Sequence, residues 1–586
     1  MTYTDKLRKG FISMNILPIP KKVEINECFL ANKSIRLESD IEDCRIINAL
    51  NGFQSSESGT PLNIIIGNEA ESEKYSLKIE PNKIVINADG NRGAFYALQT
   101  LKQIFGAEKV QCCYIEDEPD FKYRGFYHDI TRGRVPNVSA IKKLIDNMAY
   151  YKLNSLQLYV EHTFDFKEFA DSVERSGCLT AEEIRELDEY CKMNFIEFVP
   201  SLSTFGHLFE LLNKEEYKHL REIEDFDYRI FWHERMAHHT IDPTKDESFE
   251  LIKSLIDQYI VNFSSDKFNI CCDETYDLKI GRHKDEDTGK LYIDFVNKII
   301  GYVKSKGKTV QMWADILLNY PEQIEKLPED VQILNWYYWD KPDENTFKTI
   351  QQSGCTQLVC PGTGSWSRFC ENYEMDIINI TKMVDLAGKY GAEGILNTNW
   401  GDWGNPCSID LAMFGCVLGA AKSWNASTVV DRSYLEKVNS LLYKKEGANE
   451  YIKRLSDLCE KMSWLNFVKH YVNLINGKEL FDEVVYPTEE ETKEVIDGSL
   501  ALIDELSSQE WKDSNYKEQI LISAEATAVI AEIFALTLGY AVNRKTDTQK
   551  WLGLYREKWL SESKESELRE IEKVFCEMEK IIGKDA

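Results

Sequence analysis

Acidic residues outnumber basic ones in this 586-residue sequence. Lysines and arginines number 70 against 98 aspartates and glutamates, which gives a formal net charge of −28. A surface that neutralises nucleic-acid phosphates or anionic lipids needs clustered Lys and Arg, and the chain contains no long basic run. We therefore expect neither a nucleic acid nor a membrane as a partner.

Long apolar runs and secretory features are also missing. We find no uninterrupted apolar run of about 18 residues, the length that a membrane-spanning helix needs. Near the N-terminus the stretch FISMNILPIP is broken by Asn15 and Pro18 and has no small-residue cleavage site. The 15 cysteines are odd in number and include vicinal pairs such as Cys271 and Cys272, which suits reduced thiols better than a disulfide framework. These features predict a cytoplasmic protein.

Metal-binding spacings do not occur either. The chain has nine histidines, and its cysteines show no zinc-type spacing. The segment WHERMAHH, Trp232 to His239, is rich in His, but its His and Glu do not have the spacing of HExxH. We interpret this segment as an exposed loop and predict no metal ion and no cofactor.

The first 118 residues have the pattern of a small α/β domain. Short strand-like runs, LNIIIG, YSLKIE and KIVINA, precede a helical stretch from Arg92 to Phe105. The polar segment IEDEPDFK follows, and beyond it the pattern changes to apolar strands that alternate with amphipathic helices. We place a small α/β domain at residues 1–118.

The middle of the chain carries eight strand candidates separated mostly by helical segments. They are YRGFYHDI from Tyr123, SLQLYV from Ser155, FIEFVPSL from Phe195, FNICC from Phe268, TVQMW from Thr309, VQILNW from Val331, QLVC from Gln357 and GILNTN from Gly394. Nearly continuous apolar strands linked by crossover helices indicate a parallel sheet covered on both faces. Eight such units predict an α/β fold of the (β/α)8 TIM-barrel type over residues 119–426.

The remainder, residues 427–586, reads as helical. Leucines and isoleucines recur at helical spacing within charged faces, and Pro487 is the clear helix breaker. We interpret these apolar stripes as core and domain interface rather than as a binding face. The sequence thus predicts a C-terminal helical domain.

Two neighbouring carboxylates stand where barrel chemistry is expected. Reactive side chains of such barrels come from the carboxyl ends of the strands. Asp273 and Glu274 directly follow the fourth apolar strand, in NICCDETY. Taken alone, the pair fits a helix cap or a loop ion pair equally well.

Tryptophans form the second signal. Six of the twelve, including Trp339 and Trp403, fall between residues 313 and 403. Trp313, Trp336 and Trp400 stand at late strand ends, where flat apolar faces can wall a pocket and stack on a sugar ring. Core packing explains any one of them, but it explains their recurrence at one end less well. Together with the carboxylates they suggest a glycosidase.

Further candidates are individually weaker. Arg124 opens the first strand and could donate a bidentate hydrogen bond to vicinal hydroxyls, although an ion pair with Asp129 is an equal alternative. His207, after the third strand, could orient a carboxylate or serve only the structure. Asp315 and Asp402 also lie near strand ends, and Trp366 follows the seventh strand.

At these residues the sequence resembles glycoside hydrolase family 20, the β-N-acetylhexosaminidases, and within it the hexosaminidase D branch. The resemblance runs from Tyr123 to Trp403 through YRGFYHD, IDNMAYYKLNSLQL, FVPSLSTFGH with KHLRE, NICCDETY and QMWADIL. NICCDE corresponds to the family's HIGGDE. The first 115 residues also resemble the small domain that precedes the family's barrel, whereas the C-terminal helices have no matching motif.

The resemblance implies an exo-acting, retaining mechanism in which the substrate's 2-acetamido oxygen attacks the anomeric carbon. Glu274 would be the acid and base, with a pKa raised by a desolvated setting, and Asp273 would hold the acetamide N–H. Arg124 would bind the O3 and O4 hydroxyls. Trp313, Trp336 and Trp400 would enclose the acetyl methyl, and Asp315 and Asp402 would be further sugar contacts. Trp366 and His207 join the predicted substrate-binding residues because they follow the seventh and third strands.

Three departures from the family pattern bear on the site. Cys271 and Cys272 replace glycines, and Glu161 only loosely replaces an acid after strand two. The tyrosine that holds the acetamido oxygen has no clear match, and Tyr338 or its neighbour Tyr337 is the candidate substitute. Because the hexosaminidase D branch favours galactosamine substrates, the resemblance implies a glycan ending in N-acetylgalactosamine, with N-acetylglucosamine as the alternative.

Two other functions stay open at this stage. One is a non-catalytic carbohydrate-binding protein that kept the aromatic pocket. The other is a retaining glycosidase whose nucleophile is a protein carboxylate, with Asp129, Glu161 or Asp402 as the partner of Glu274. A homodimer is likewise left open as the assembly.

Overall fold

The computed structural model describes residues 14–170, 177–224, 232, 239–476, 481 and 484–585. The chain divides into two compact units. One unit holds the described residues up to Asp120 together with Asn147–Lys152 and Ala420–Ala448, and the other holds the rest. The domain boundaries expected near residues 118 and 426 concern the linear order of modules and stay predictions.

The first unit is built on a six-stranded sheet. Its strands are β1 (Lys22–Phe29), β2 (Ile35–Leu37), β3 (Thr60–Ile66), β4 (Tyr75–Glu80), β5 (Lys83–Ala88) and β6 (Gln111–Asp117). The order is β1-β6-β4-β5-β3-β2, with β2, β3 and β5 parallel to one another. Helices Cys44–Leu50, Asn91–Phe105 and Arg432–Leu441 complete the unit. The α/β pattern predicted for the N-terminal region is confirmed.

The second unit contains a closed parallel barrel. Its strands are β7 (Tyr123–Asp129), β8 (Ser155–Val160), β9 (Glu197–Leu202), β10 (Lys267–Asn269), β11 (Thr309–Trp313), β12 (Gln332–Trp336), β13 (Thr356–Cys360) and β15 (Gly394–Asn399), and the short β14 (Gly362–Thr363) pairs with β15. Each strand pairs in parallel with the next, and β15 returns to β7. All eight predicted strands are present, which confirms the (β/α)8 fold.

The barrel interior is layered along its axis. Near the amino ends, Gln157 donates to Gln311 over 2.7 Å, and Gln311 donates to Gln332 over 2.9 Å. These hydrogen bonds satisfy polar groups that would be costly to bury alone. Towards the carboxyl ends the filling becomes aromatic, with Tyr127 and Trp313 packed edge to face at 5.2 Å. This aromatic layer forms the floor of the barrel mouth.

Helices of three to five turns cover the barrel, with shorter ones at its mouth. The helices that follow its strands are Val138–Tyr150, Ala181–Met193, Phe209–Leu212, Asp246–Ile260, Thr288–Ser305, Asp315–Asn319, Glu344–Ser353, Tyr373–Lys389 and Met413–Trp424. Thr180 begins one of them with a capping box to Glu183, as its sequence predicts. After these come Ala448–Lys461, Trp464–Asn476, Glu489–Ser507, Ser514–Thr537, Thr548–Glu562 and Leu568–Asp585, which confirms the helical C-terminal region.

Within the second unit, these last helices pack against loops of the barrel mouth. The Arg134 guanidinium lies 4.0 Å from the ring centroid of Trp559, and the indole of Trp464 donates to the Trp403 carbonyl over 2.7 Å. The main-chain N–H of Glu567 donates to the carbonyl of Gly133. The helices therefore support the loops that follow β7 and β15.

One helix is apolar enough to cross a membrane, contrary to the expectation that the sequence has no such segment. By length and composition Ser514–Thr537 could cross a membrane, since its most apolar 18 residues have a mean hydropathy of 1.8. Glu525 and Glu532 interrupt the apolar run but leave the average high. In the structure 72% of this window is buried, and Glu532 accepts hydrogen bonds from the main chain of Lys545 and Thr546. The helix packs as a core helix.

Candidate active site

A pocket of about 160 Å³ opens at the carboxyl ends of the barrel strands. Its lining consists of one arginine, three carboxylates and six aromatic side chains: Arg132, Asp273, Glu274, Asp402, Trp313, Trp336, Tyr338, Trp339, Trp366 and Trp400. Trp313 and Trp400 lie 5.8 Å apart at its floor, with Tyr127 packed against both. The lining combines flat apolar surface with a few polar groups, which is typical of a small-molecule site.

The backbone around the acid pair is unusual. Cys271, Cys272 and Glu274 all have left-handed conformations, with φ of 57°, 65° and 48°. Such conformations disfavour residues with a Cβ and occur where the surrounding structure enforces them. They end β10 early, at Asn269, and turn the chain so that Asp273 and Glu274 both reach the pocket.

Two neighbouring loops hold this turn in place. A Cβ at Gly206 would lie 2.4 Å from the carbonyl oxygen of Asp273, so only glycine lets the loop after β9 approach this closely. On the other side Asp315 accepts a 2.9 Å hydrogen bond from the main-chain N–H of Glu274. Asp315 therefore lies behind the acid pair and positions Glu274, although we had expected it to contact the sugar.

His207 lies between the two acids, behind the pocket wall. Its Nε2 is 3.3 Å from Oδ2 of Asp273 and 3.3 Å from Oε2 of Glu274, so the two carboxylate oxygens are at most twice that distance apart. The second ring nitrogen, Nδ1, faces Nη2 of Arg132 at 3.3 Å. Below it the ring of His239 stacks at 4.3 Å and accepts a hydrogen bond from the His207 main chain.

The charge state of Glu274 differs from the sequence-based expectation. Burial favours the neutral acid, but contact with His207, its positive charge and that of Arg132 outweigh burial and lower the pKa of Glu274 to about 2. Burial would also lower the pKa of His207, yet Asp273 and Glu274 raise it to about 10. The prediction of a raised Glu274 pKa is wrong for this structure, because it considered only the desolvation of the acid and left out the positive charge of the neighbouring His207.

The other two nearby carboxyls titrate closer to neutrality. Burial, with the charges of Asp273 and Glu274, raises the pKa of Asp315 to about 8. Burial also raises the pKa of Asp402 to about 6, and Arg132 opposes that shift. Asp402 is therefore largely ionised at neutral pH, whereas Asp315 is largely neutral.

The pocket arginine is Arg132, and our expectation for Arg124 is wrong. Arg124 opens β7, so it lies at the amino end of the barrel, where its guanidinium donates to the Phe121 carbonyl over 3.0 Å. Arg132 follows the carboxyl end of the same strand. Its guanidinium lies 3.2 Å from both Asp129 and Asp402.

The aromatic side of the pocket brings the remaining predicted residues together. Trp336 and Tyr338 stack at 4.9 Å, and Trp366 packs 5.4 Å from Tyr338. The indole N–H of Trp400 donates to the Tyr338 hydroxyl over 2.7 Å, which leaves the phenolic hydrogen free to donate elsewhere. Trp339 also lines the pocket, although its place in the sequence, outside the strand ends, had not indicated a role in the site.

Outside this pocket, one cluster among the described residues has side chains spaced as metal ligands could be. Ligand atoms of Glu222, Asp242 and His283 lie within 4.8 Å of one another. These atoms already have partners, since His283 Nδ1 lies 2.7 Å from Glu222 and Arg282 lies 3.2 Å from Asp242. The adjacent guanidinium disfavours a cation, so we assign no metal there. Residues 233–238 of the His-rich segment lie outside the described part of the chain.

Two family models match consecutive parts of this chain. Residues 13–118 match the model described as glycosyl hydrolase family 20, domain 2. Residues 121–375 match the one described as glycosyl hydrolase family 20, catalytic domain. The second match contains β7 to β13 and all but two of the pocket residues.

Individual relatives are distant. The chain is 26% identical to a beta-hexosaminidase of Porphyromonas gingivalis over 52% of this chain and 46% of that protein. It is 25% identical to human hexosaminidase D over 48% of this chain and 60% of that protein. The chain thus spans about half the length of these curated relatives. The solved structure of a Flavobacterium johnsoniae chitobiase shares the fold, with a TM-score of 0.61 at 18% identity over 97% of this chain and 99% of that one.

Proposed function

Because this chain belongs to glycoside hydrolase family 20, we propose that it is an exo-acting, retaining β-N-acetylhexosaminidase. It would release a terminal N-acetylhexosamine from glycoconjugates. One observation carries the proposal: Asp273 and Glu274 meet at one histidine nitrogen within a tryptophan-walled pocket of about 160 Å³. A pocket of this size has room for one sugar residue, which suits cleavage from the chain end.

In the proposed first step the acetamido oxygen of the substrate attacks the anomeric carbon as the glycosidic bond breaks. Asp273 accepts the acetamide N–H and stabilises the positive charge of the resulting oxazolinium ion. Its Oδ1 is buried and has no hydrogen-bond partner among the described residues, so it can take this role. Tyr338, whose oxygen already accepts from Trp400, would donate its hydrogen to the acetamido oxygen.

The departing oxygen needs a proton, which we assign to Glu274. We propose that His207, whose pKa its two acidic neighbours raise, holds this proton in the free protein. Moving the proton from Nε2 to Glu274, 3.3 Å away, leaves the proton count of the group unchanged. Bound substrate excludes water and contacts Asp273, so that Asp273 stabilises the imidazolium of His207 less. This change favours the neutral form of Glu274. Glu274 would then act as the base that activates water against the oxazolinium ion.

Sugar hydroxyls would be bound by the ion pair of Arg132 and Asp402. Arg132 and Asp402 lie 3.2 Å apart and present donors and acceptors together. We propose N-acetylgalactosamine as the preferred sugar and N-acetylglucosamine as the alternative, by likeness to the hexosaminidase D relatives.

The proposal is tested with three aryl β-glycosides that differ in the sugar: N-acetylgalactosaminide, N-acetylglucosaminide and galactoside. We expect hydrolysis of the two acetamido sugars and little of the galactoside. A protein that binds the sugars but turns none of them over would be the carbohydrate-binding alternative. Comparable turnover of the galactoside would favour a protein nucleophile.

Arg132 and Arg124 form a matched pair of variants. Arg132→Lys keeps the charge but loses the planar fork, so we expect kcat/KM to fall roughly 10²-fold. Arg124→Lys removes a hydrogen bond at the other end of the barrel and should leave kcat/KM near the wild-type value. Steady-state kinetics on one aryl substrate checks both, and the reverse order of effects would contradict the assignment.

The pH profile tests the proton store on His207. Activity that needs this proton is present below its pKa and lost above it, so the basic limb of kcat/KM in the wild type should lie towards pH 10. In His207→Asn, Glu274 has no neighbouring imidazole to supply its proton. The hydrogen bond and charge of His207, which lower the pKa of Glu274 most, are also lost. We expect the optimum to move to lower pH. An unshifted profile with a lower plateau would mean that His207 is only structural.

A further inference from the structure

Trp339 belongs to the pocket lining and forms part of its solvent-exposed rim. It is 50% exposed and is the most exposed of the lining residues. The deeper wall is different, since Trp313 is fully buried and Trp400 is 8% exposed. A half-exposed indole ring at a pocket entrance can stack against the part of a ligand that extends out of the pocket.

The rim that carries this indole is anchored. Asn379, fully buried on the helix Tyr373–Lys389, donates 2.9 Å hydrogen bonds to the carbonyls of both Tyr337 and Trp339. Its side-chain oxygen accepts from the N–H of Gly362. Tyr337 also packs edge to face against the Trp339 ring at 5.4 Å. The exposed ring is thus held on a fixed backbone, as a binding surface requires.

The aromatic surface continues from the pocket to the rim. Trp336 stacks on Tyr338, and the Tyr338 ring lies 6.0 Å from that of Trp339. Glu274, which must reach the glycosidic oxygen, lines the same pocket with 31% of its side chain exposed. A group attached to that oxygen would therefore extend towards solvent, where the indole of Trp339 is also exposed.

Charge limits what this group can be. The pocket lining presents three carboxylates, Asp273, Glu274 and Asp402, against the single guanidinium of Arg132. That guanidinium is already paired with Asp129 and Asp402. An anionic group at the rim would meet repulsion without a free partner in the lining.

We propose that Trp339 is the stacking platform for the sugar on the leaving-group side, and that this sugar is a neutral pyranose rather than a uronic acid. The inference rests on the proposed function and adds the substrate class on the far side of the scissile bond. The C–H face of the pyranose would lie on the indole while the N-acetylhexosamine occupies the pocket.

The test compares Trp339→Ala, Trp339→Phe and wild type on three substrates with the same N-acetylhexosamine. These are its methyl β-glycoside, a disaccharide with a neutral hexose as leaving group, and a disaccharide with a uronic acid. Trp339→Ala should lower kcat/KM for the neutral disaccharide about tenfold more than it lowers kcat/KM for the methyl glycoside. Trp339→Phe, which keeps a ring, should lose less, and the wild type should prefer the neutral disaccharide to the uronate.

Each other outcome has a defined meaning. Equal losses on the methyl glycoside and the neutral disaccharide, or no loss on the disaccharide, would overturn the platform and leave the proposed function intact. A wild-type preference for the uronate would overturn the neutral class. If the wild type hydrolysed none of the three, the proposed function and this inference would fall together.

Discussion

Replacing Glu274 by glutamine is expected to lower kcat/KM about 10³-fold for substrates with poor leaving groups, such as methyl glycosides. Glutamine keeps the shape of the side chain but cannot donate a carboxyl proton to the departing oxygen. Activated aryl leaving groups depart without that proton, so their kcat/KM should fall far less. The measurement is kcat/KM for a series of leaving groups with graded pKa values.

The slope of log kcat/KM against the pKa of the leaving group tests whether Glu274 is the acid. In Glu274→Gln the rate should depend steeply on the pKa of the leaving group, and in the wild type only weakly. Equal losses across the series would mean that Glu274 does not protonate the leaving group. Because kcat/KM reports only the steps through the first irreversible one, loss of the base function in the second step should appear in kcat instead.

Replacing Asp273 by asparagine is expected to lower kcat/KM between about 10²- and 10³-fold, and nearly equally for good and poor leaving groups. The carboxylate that holds the acetamide N–H and faces the developing charge is gone, whereas Glu274 keeps its place. His207 also loses the partner that contributes most to its raised pKa. The measurement uses the same substrates as for Glu274.

Sugars without the acetamido group supply the control for Asp273. Any slow hydrolysis of the aryl galactoside cannot use a contact to an acetamide, so Asp273→Asn should affect it much less. If Asp273→Asn changed the dependence on leaving-group pKa as Glu274→Gln does, the two acids would have to exchange roles. Near-ultraviolet circular dichroism would check that both variants keep the packed aromatic pocket.

The barrel could be predicted because its strands are buried on both faces. The mostly apolar segments SLQLYV and VQILNW predicted strands, and the structure has strands at Ser155–Val160 and Gln332–Trp336. Asp273 was found by its position after such a strand. The left-handed turn at Cys271 and Cys272 that aims it into the pocket was not, because cysteine gives no local signal for that conformation.

The sequence contains the information that distinguishes Arg132 from Arg124. Arg124 opens its strand, whereas Arg132 comes three residues after the strand ends at Asp129. The rule that placed Asp273 at a carboxyl end would have chosen Arg132 as well. The same rule selected His207 as a side chain that could orient a carboxylate, but it could not give the lowered pKa of Glu274, because that shift depends on the 3.3 Å distance between the two side chains.

The most direct measurement concerns the nucleophile. Replacing the acetamido methyl hydrogens of an aryl N-acetylhexosaminide one at a time by fluorine weakens the amide oxygen as a nucleophile without greatly changing its size. If the substrate's own amide attacks the anomeric carbon beside Asp273, kcat/KM should fall with each added fluorine. A rate that does not change along the series would show that a group on the protein attacks instead, and would contradict the roles assigned to Asp273 and Glu274.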